Sequence, residues 1–77
     1  MQNAAFGVPG IDQQGGARLK KRLQRLPGVQ DVTVWLSEQQ IDVYYDPDVT
    51  SPDTLVDTMR QLDYMAERIP WSKRTPG

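Results

Sequence analysis

The stretch that decides the fold reads Asp31-Val32-Thr33-Val34-Trp35-Leu36-Ser37-Glu38-Gln39-Gln40-Ile41-Asp42-Val43-Tyr44-Tyr45. Its apolar residues alternate with other residues, first at Val32, Val34 and Leu36 and again from Ile41 to Tyr45, which is typical of strands that bury one face. The polar residues between the two runs are few enough for a tight turn. The sequence therefore predicts two antiparallel strands joined as a hairpin.

Amphipathic helices are predicted on both sides of this hairpin. Upstream, three leucines recur at helical spacing from Leu19 to Leu26, and Pro27-Gly28 then stops the helix. Downstream, Ser51-Pro52-Asp53 supplies an N-cap, a proline at the first helical position and an acid in the first turn. An apolar stripe follows as far as about Leu62, so we expect a second helix there.

Short strands are predicted at the two ends of the fold. Phe6 and Val8 alternate before Pro9-Gly10, with a glycine-bounded loop from Gly10 to Gly16 after them, and Tyr64 to Ile69 forms a plausible fourth strand. The order βαββαβ indicates an α+β, ferredoxin-like sandwich with a four-stranded antiparallel sheet and both helices on one face. We expect residues 1–70 to form a single domain and residues 71–77 to be a C-terminal tail or linker.

The composition excludes several kinds of chemistry. The 77 residues include no cysteine and no histidine, so disulfides, thiolate ligands and the commonest general base are missing together. No apolar run is long enough to span a bilayer, and we expect no signal peptide, because the first residues lack its basic and apolar regions. The charge is polarised, since the stretch from Asp31 to Asp63 carries −7 and a basic cluster before it carries +5, formed by Arg18, Lys20, Lys21, Arg22 and Arg25.

The pattern resembles the heavy-metal-associated (HMA) domain family, whose members include copper chaperones and N-terminal modules of metal-transporting P-type ATPases. The resemblance covers nearly the whole folded part. It is carried by the order and spacing of Leu19-x-x-x-Leu23-x-x-Leu26-Pro27-Gly28-Val29, Val32-Thr33-Val34, Ile41-Asp42-Val43-Tyr44-Tyr45-Asp46-Pro47, Leu55, Met59, Leu62 and Asp63-Tyr64-Met65-Ala66. In the family a Gly-Tyr or Gly-Phe pair usually stands where this chain has Asp63-Tyr64.

The metal loop of the family, Gly-Met-x-Cys-x-x-Cys, has lost its ligands in this chain. Aligned from Gly10, Gln13 and Gly16 replace the two cysteines, whereas alignment backward from the first helix places Asp12 and Gly15 there. Neither pair supplies a thiolate, so the site cannot hold copper(I) or zinc by the chemistry of the family. We therefore expect no cofactor and no metal site. The resemblance also implies that Tyr64 packs beneath this loop.

Other interpretations of these residues are weaker. Asp12 and Gln13, with backbone carbonyls, could bind a hard cation weakly, although an acid that stabilises the start of a helix explains Asp12 better. The run from Gln14 to Arg18 comes near the phosphate loop of acylphosphatases, but its spacing is off by one and the central hairpin lacks the required asparagine. Met59 falls on the apolar stripe and is expected in the core rather than, with Met65, as a copper ligand.

Two surfaces could meet partners. The basic cluster is either a solvated helix face or a docking site for an acidic protein surface, and RNA binding is disfavoured because the chain is acidic overall. Trp35 and Tyr44 are expected on the open face of the sheet, where they either pack against each other across the strands or form a homodimer interface.

The resemblance and the missing cysteines together indicate a non-catalytic regulatory or protein-interaction module. We expect it to be the N-terminal cytosolic part of a metal-transporting P-type ATPase, and so cytoplasmic, monomeric, without nucleic acid and without direct membrane contact. Its partner would be an acidic protein surface or another cytosolic domain of the parent protein. The alternatives are a weak non-thiolate metal-binding domain that uses the 10–17 loop, and a free-standing domain that dimerises through Trp35 and Tyr44.

Overall fold

The computed structural model describes residues 1–69, which form the predicted βαββαβ fold. The tail expected at residues 71–77 lies outside the described part of the chain. Neither helix within residues 1–69 combines the length and the apolar content of a membrane span. The elements are β1 Gln2–Gly7, α1 Gln13–Gln24, β2 Val29–Trp35, β3 Gln40–Tyr45, α2 Pro52–Gln61 and β4 Glu67–Ile69.

The sheet is antiparallel throughout, with strand order β2-β3-β1-β4. The predicted hairpin sets β2 beside β3, and a register shift between Val29 and Asp31 marks an irregularity at the start of β2. β1 pairs with β3 on one side and with the short edge strand β4 on the other. This is the arrangement that two crossover helices impose on a central hairpin.

The core lies between the inner sheet face and the helices. The sheet contributes alternate residues, among them Phe6, Val32, Ile41 and Val43, and their period of two faces the helical stripes. The helices contribute Leu19 and Leu23 from α1 and Leu55 and Met59 from α2, all fully buried. Met59 is therefore a core residue, as predicted, whereas Met65 is 79% exposed.

Three boundaries differ from the prediction, each for a local reason. α1 begins at Gln13 rather than after Gly16, because Asp12 caps it. β2 ends at Trp35, so Leu36 falls in the turn and is 40% exposed instead of facing the core. β4 is shorter than the predicted run from Tyr64, because the chain is still turning there.

That turn follows α2 directly and includes a residue in an unusual conformation. Asp63 has a φ of 67°, in the left-handed region that favours glycine, and the next N–H, that of Tyr64, donates to the Met59 carbonyl. The position is the one where the HMA family usually carries glycine. A glycine would adopt this conformation without strain, so the backbone here agrees with what the resemblance implies for this position.

The outer sheet face, opposite the helices, differs most from the prediction. Trp35 stands opposite Gln40, and Tyr44 stands opposite Asp31, so the two aromatics lie at different ends of the hairpin and do not pair. The indole Nε1–H of Trp35 instead donates to Asp42 Oδ2 at 3.3 Å. The expected packing of the two aromatics against each other is therefore wrong, because the register separates them.

Candidate functional site

The start of α1 occupies the place of the family's metal loop. Asp12 has an extended backbone and serves as the N-cap, with its Oδ1 accepting the backbone N–H of Gly15 at 2.7 Å. The Gly16 N–H donates to the Asp12 carbonyl, also at 2.7 Å, which closes the first helical turn. A carboxylate at this end also meets the positive end of the helix dipole. Asp12 therefore stabilises the helix, as the sequence suggested.

The two glycines of this first turn are buried, and each lies against a neighbouring side chain. A Cβ at Gly15 would collide with the Tyr64 hydroxyl. A Cβ at Gly16 would lie 2.9 Å from Val34 Cγ1 and 3.4 Å from Leu36 Cδ2. Glycine at both positions lets the helix start approach the turn after α2 on one side and the end of β2 on the other.

Contact with Tyr64 favours one of the two alignments that the sequence left open. The family aromatic packs beneath the metal loop, and here the residue at its position, Tyr64, meets Gly15. Asp12 is joined to Gly15 by the capping hydrogen bond, so these two positions face each other. Gly16 faces β2 instead. We therefore propose that Asp12 and Gly15, rather than Gln13 and Gly16, stand at the two cysteine positions.

The residues present do not fit the soft metal ion that the family site implies. Gly15 has no side-chain donor, and the space beside it is taken by the Tyr64 hydroxyl. One oxygen of Asp12 is engaged by a backbone N–H. Within residues 1–69, no three acidic, histidine or cysteine side chains are grouped as metal ligands. The start of α1 therefore holds a helix cap and a packed tyrosine, and it offers no thiolate.

The basic cluster surrounds the exposed side of the same helix. All five of its residues are exposed. The i, i+4, i+7 spacing places Arg18, Arg22 and Arg25 on one flank, whereas Lys20 lies on the other flank beside β2. The cluster is therefore broader than a single stripe, and its charges cover the second half of the helix up to the C-cap Arg25.

Sequence reasoning missed an apolar element of this surface. A shallow groove of about 170 Å³ is lined by Gln13, Gly16, Ala17, Lys20, Val34 and Leu36. The alternation in β2 had assigned Leu36 to the core, and only its position beside the turn hinted otherwise. The groove places a half-buried valine and an exposed leucine next to Lys20, which lies in the second half of α1. Such a combination suits contact with a protein better than contact with an ion.

Known proteins with similar sequences or folds include metal-handling domains. The copper-exporting P-type ATPase of Staphylococcus haemolyticus (strain JCSC1435) is 44% identical over 50 residues, which make up 65% of this chain and 6% of that ATPase. This chain therefore spans only a small fraction of the length of that relative.

Solved structures share the whole architecture. The apo form of a copper chaperone of Enterococcus hirae superposes with a TM-score of 0.79 at 27% identity, covering 86% of this chain and 98% of the chaperone. A copper-binding domain from HMA7, a P-type ATPase, gives a TM-score of 0.85 at 22% identity, covering 92% of this chain and all of that domain. At 22% identity, the similarity to the HMA7 domain shows a shared fold and nothing more.

A family model agrees with the fold and with the place of the altered loop. The model of the heavy-metal-associated domain matches residues 8–65, from the residue after β1 to the turn before β4. The matched segment includes the loop from Gly10 to Gly16, which contains no cysteine. This chain therefore belongs to the heavy-metal-associated domain family.

Proposed function

We propose that this domain is a non-catalytic protein-interaction or regulatory module that has exchanged thiolate metal binding for contact with an acidic protein surface. The observation that carries the proposal is the contrast between the start of α1 and the rest of its exposed surface. Asp12 and Gly15 are used for capping and packing, while the exposed side of the helix from Arg18 to its C-cap Arg25 carries five cations, with Lys20 beside the exposed Leu36. Cations and apolar groups together recognise an acidic protein surface.

The parent protein is proposed to be a metal-transporting P-type ATPase, with this domain in its N-terminal cytosolic part. Support comes from the 44% identity to a copper-exporting P-type ATPase over 50 residues. In that setting the basic cluster would dock either a separate acidic protein or another cytosolic domain of the pump. Docking at the helix that once presented the ion would regulate the pump without any ion being held.

A metal titration tests the first half of the proposal. Amide chemical shifts of the labelled domain are recorded with zinc, copper(I), calcium and magnesium in turn. We expect no saturable shifts from Gly10 to Ala17, because the one carboxylate there already caps a helix. Saturable shifts confined to that stretch would favour the rival function, a weak oxygen-ligand metal site at Asp12 and Gln13.

A charge reversal tests the second half. Changing Lys20, Lys21 and Arg22 to Glu in the parent pump should slow its docking by roughly tenfold or more at low salt and alter the transport rate. The control changes Arg60 on α2 and Arg68 on β4 to Glu, away from the basic cluster. If the unmodified pump and the folded reversal variant have equal docking and transport rates, the basic cluster is not the docking surface.

The homodimer alternative has less geometric support. Trp35 is half-buried and bonded to Asp42 rather than displayed, and Tyr44 is 37% exposed at the other end of the hairpin. Sedimentation equilibrium separates the two functions, since we expect a monomer across the concentrations tested.

A further inference from the structure

The groove between α1 and the end of β2 is built around a glycine. A Cβ at Gly16 would lie 2.9 Å from Val34 Cγ1 and 3.4 Å from Leu36 Cδ2, so the helix backbone approaches the end of the strand closely there. The next helical residue, Ala17, also lines the groove and is short and exposed, which leaves the groove open beside the glycine. The α1–β2 groove is therefore a recess in the surface rather than a projection from it.

Leu36 forms the exposed wall of this groove. It lies in the turn after β2 and is 40% exposed, although its Cδ2 lies against the helix at Gly16. Val34, which is half-buried, extends the same apolar wall. A leucine held against the helix on one side and open to water on the other is stabilised when another apolar side chain covers it. The groove therefore offers a preformed contact for an apolar group.

The size and shape of the groove limit what can enter it. Its volume is about 170 Å³, whereas pockets for small molecules usually start at roughly 300 Å³ and enclose most of the ligand. A lipid surface fits less well, because membranes are bound by apolar side chains that project from a helix face, and here they line a recess. The groove therefore suits a single apolar side chain that belongs to a larger partner.

Lys20 determines the charge of that partner. Among the residues that line the groove, it alone is charged. It follows Gly16 by one helical turn, roughly 6 Å along the helix axis. In an extended chain, side chains two residues apart point to the same side and are separated by roughly 7 Å. An extended segment with an apolar side chain in the groove therefore brings the side chain two residues away to Lys20, where a carboxylate would form an ion pair.

A second copy of this chain is a poorer occupant. A symmetric contact through the groove would set Leu36 against Leu36 of the other copy, but it would also bring the Lys20 and Lys21 side chains of both copies together. Like charges at a contact oppose association. Charge complementarity therefore favours an acidic segment of a different protein or domain.

We propose that the α1–β2 groove takes an apolar side chain from an extended acidic segment of the partner, with a carboxylate two residues away paired to Lys20. This inference rests on the proposed function, because it specifies which acidic surface the basic cluster meets. The cations attract acidic surfaces in general and speed the encounter. The groove then selects the surfaces that carry an apolar residue at the matching distance from an acid.

Two acidic peptides added to the labelled chain test the groove. Each has nine residues, with glutamates two and four positions from the centre on both sides and serines elsewhere, and the central residue is leucine in one peptide and serine in the other. We expect the leucine peptide to give saturable amide shifts at Gly16, Ala17 and Leu36. It should bind about tenfold more tightly than the serine peptide, the effect of covering part of one leucine side chain. Equal affinities would show binding by charge alone and would overturn the groove.

Leu36→Asn is the matching change in the chain, because it removes the apolar wall and leaves every charge in place. It should weaken binding of the leucine peptide about tenfold and leave binding of the serine peptide unchanged. Lys20→Glu should weaken both peptides, and more strongly at low salt. The control Val49→Asn alters an apolar residue that is 55% exposed in the turn before α2, and it should change neither affinity.

The outcomes distinguish the groove from the proposed function. If Lys20→Glu weakens binding and Leu36→Asn does not, the groove is rejected and the acidic partner is retained. If neither peptide gives saturable shifts, the groove is rejected, and the charge reversal in the parent pump tests the proposed function separately. Amide shifts at Leu36 that depend on the concentration of the chain without peptide would replace the acidic segment with a second copy.

Discussion

The N-termini of the two helices are built from the same parts but depend on different amounts of the chain. In both, the side chain of the N-cap residue accepts the backbone N–H of the third helical residue. The Gly15 N–H donates to Asp12 at 2.7 Å in α1, and the Thr54 N–H donates to Ser51 at 3.4 Å in α2. In α2 that third residue is exposed, whereas Gly15 is buried against Tyr64.

The two helix starts differ in what determines them: neighbouring residues alone in α2, and a tertiary contact as well in α1. Ser51, Pro52 and Asp53 suffice to start α2, because cap, proline and acid all act within one turn. The start of α1 depends in addition on an aromatic from the turn after α2, as in a family where that aromatic supports a metal loop. This chain has no thiolate there, and the contact of Tyr64 with Gly15 is present without one.

The largest expected effect comes from returning the ligands. Asp12→Cys with Gly15→Cys and Tyr64→Phe should bind zinc at least about a thousandfold more tightly than the parent chain, because two thiolates at a helix start hold a soft ion and the lost hydroxyl makes room. Competition with a chromophoric chelator measures the affinity. The same variant is the positive control for the metal titration.

The alternative spacing is the matched control for that design. Gln13→Cys with Gly16→Cys and Tyr64→Phe introduces the same number of thiols. The Cβ of its second cysteine, at position 16, would point at Val34 and Leu36 and crowd them. We therefore expect far weaker zinc binding and a lower free energy of unfolding. Equal affinities in the two triple variants would contradict the assignment of Asp12 and Gly15 to the cysteine positions.

The next effect concerns packing at the third helical residue. Gly15→Ala should lower the free energy of unfolding by about 1–2 kcal/mol, since the new methyl group meets the Tyr64 hydroxyl. In a Tyr64→Phe background the same change should be neutral or stabilising by up to about 1 kcal/mol, because alanine is the better helix former. Urea unfolding of the four proteins in this cycle measures the coupling.

Thr54→Ala is the corresponding change in α2. It should alter the free energy of unfolding by no more than about 0.5 kcal/mol, because the side chain is exposed and its contact with Ser51 is local. A loss at Gly15 that persists unchanged in the Tyr64→Phe background would show that the glycine is needed for another reason than the tyrosine.

The features of the fold that the sequence predicts are those with local causes, and the features it misses have tertiary causes or depend on a cap or a turn. The hairpin, the Ser51 cap and the α2 stripe could be predicted from residues close together in the sequence, and the structure has them. Periodicity could not predict the first residue of α1 or the exposure of Leu36. The Asp12 cap starts α1 earlier than the leucine spacing indicates, and the turn after Trp35 takes Leu36 out of the strand.

The outer face shows the limit of periodicity more sharply. Alternation in β3 correctly put Asp42 on the face opposite Ile41 and Val43, and a charged residue there is expected to meet water. It is fully buried, with donors from Trp35 and Gln40. The burial of Asp42 depends on the register that sets Trp35 and Gln40 beside it, and register is not encoded in a period of two.

The smallest expected effect, the charge component of the Asp12 cap, comes from a direct comparison of the two caps. Asp12→Ala should cost about 1–2 kcal/mol of unfolding free energy and Ser51→Ala only about 0.5 kcal/mol, because the Asp12 bond is shorter and its carboxylate also meets the helix dipole. Asp12→Asn retains an acceptor and should lose only the charge component, a few tenths of a kcal/mol that salt screens. Urea midpoints at two salt concentrations separate the components. Equal losses at Asp12 and Ser51, insensitive to salt, would mean that the start of α1 is capped no more strongly than that of α2, and that packing against Tyr64 alone sets it apart.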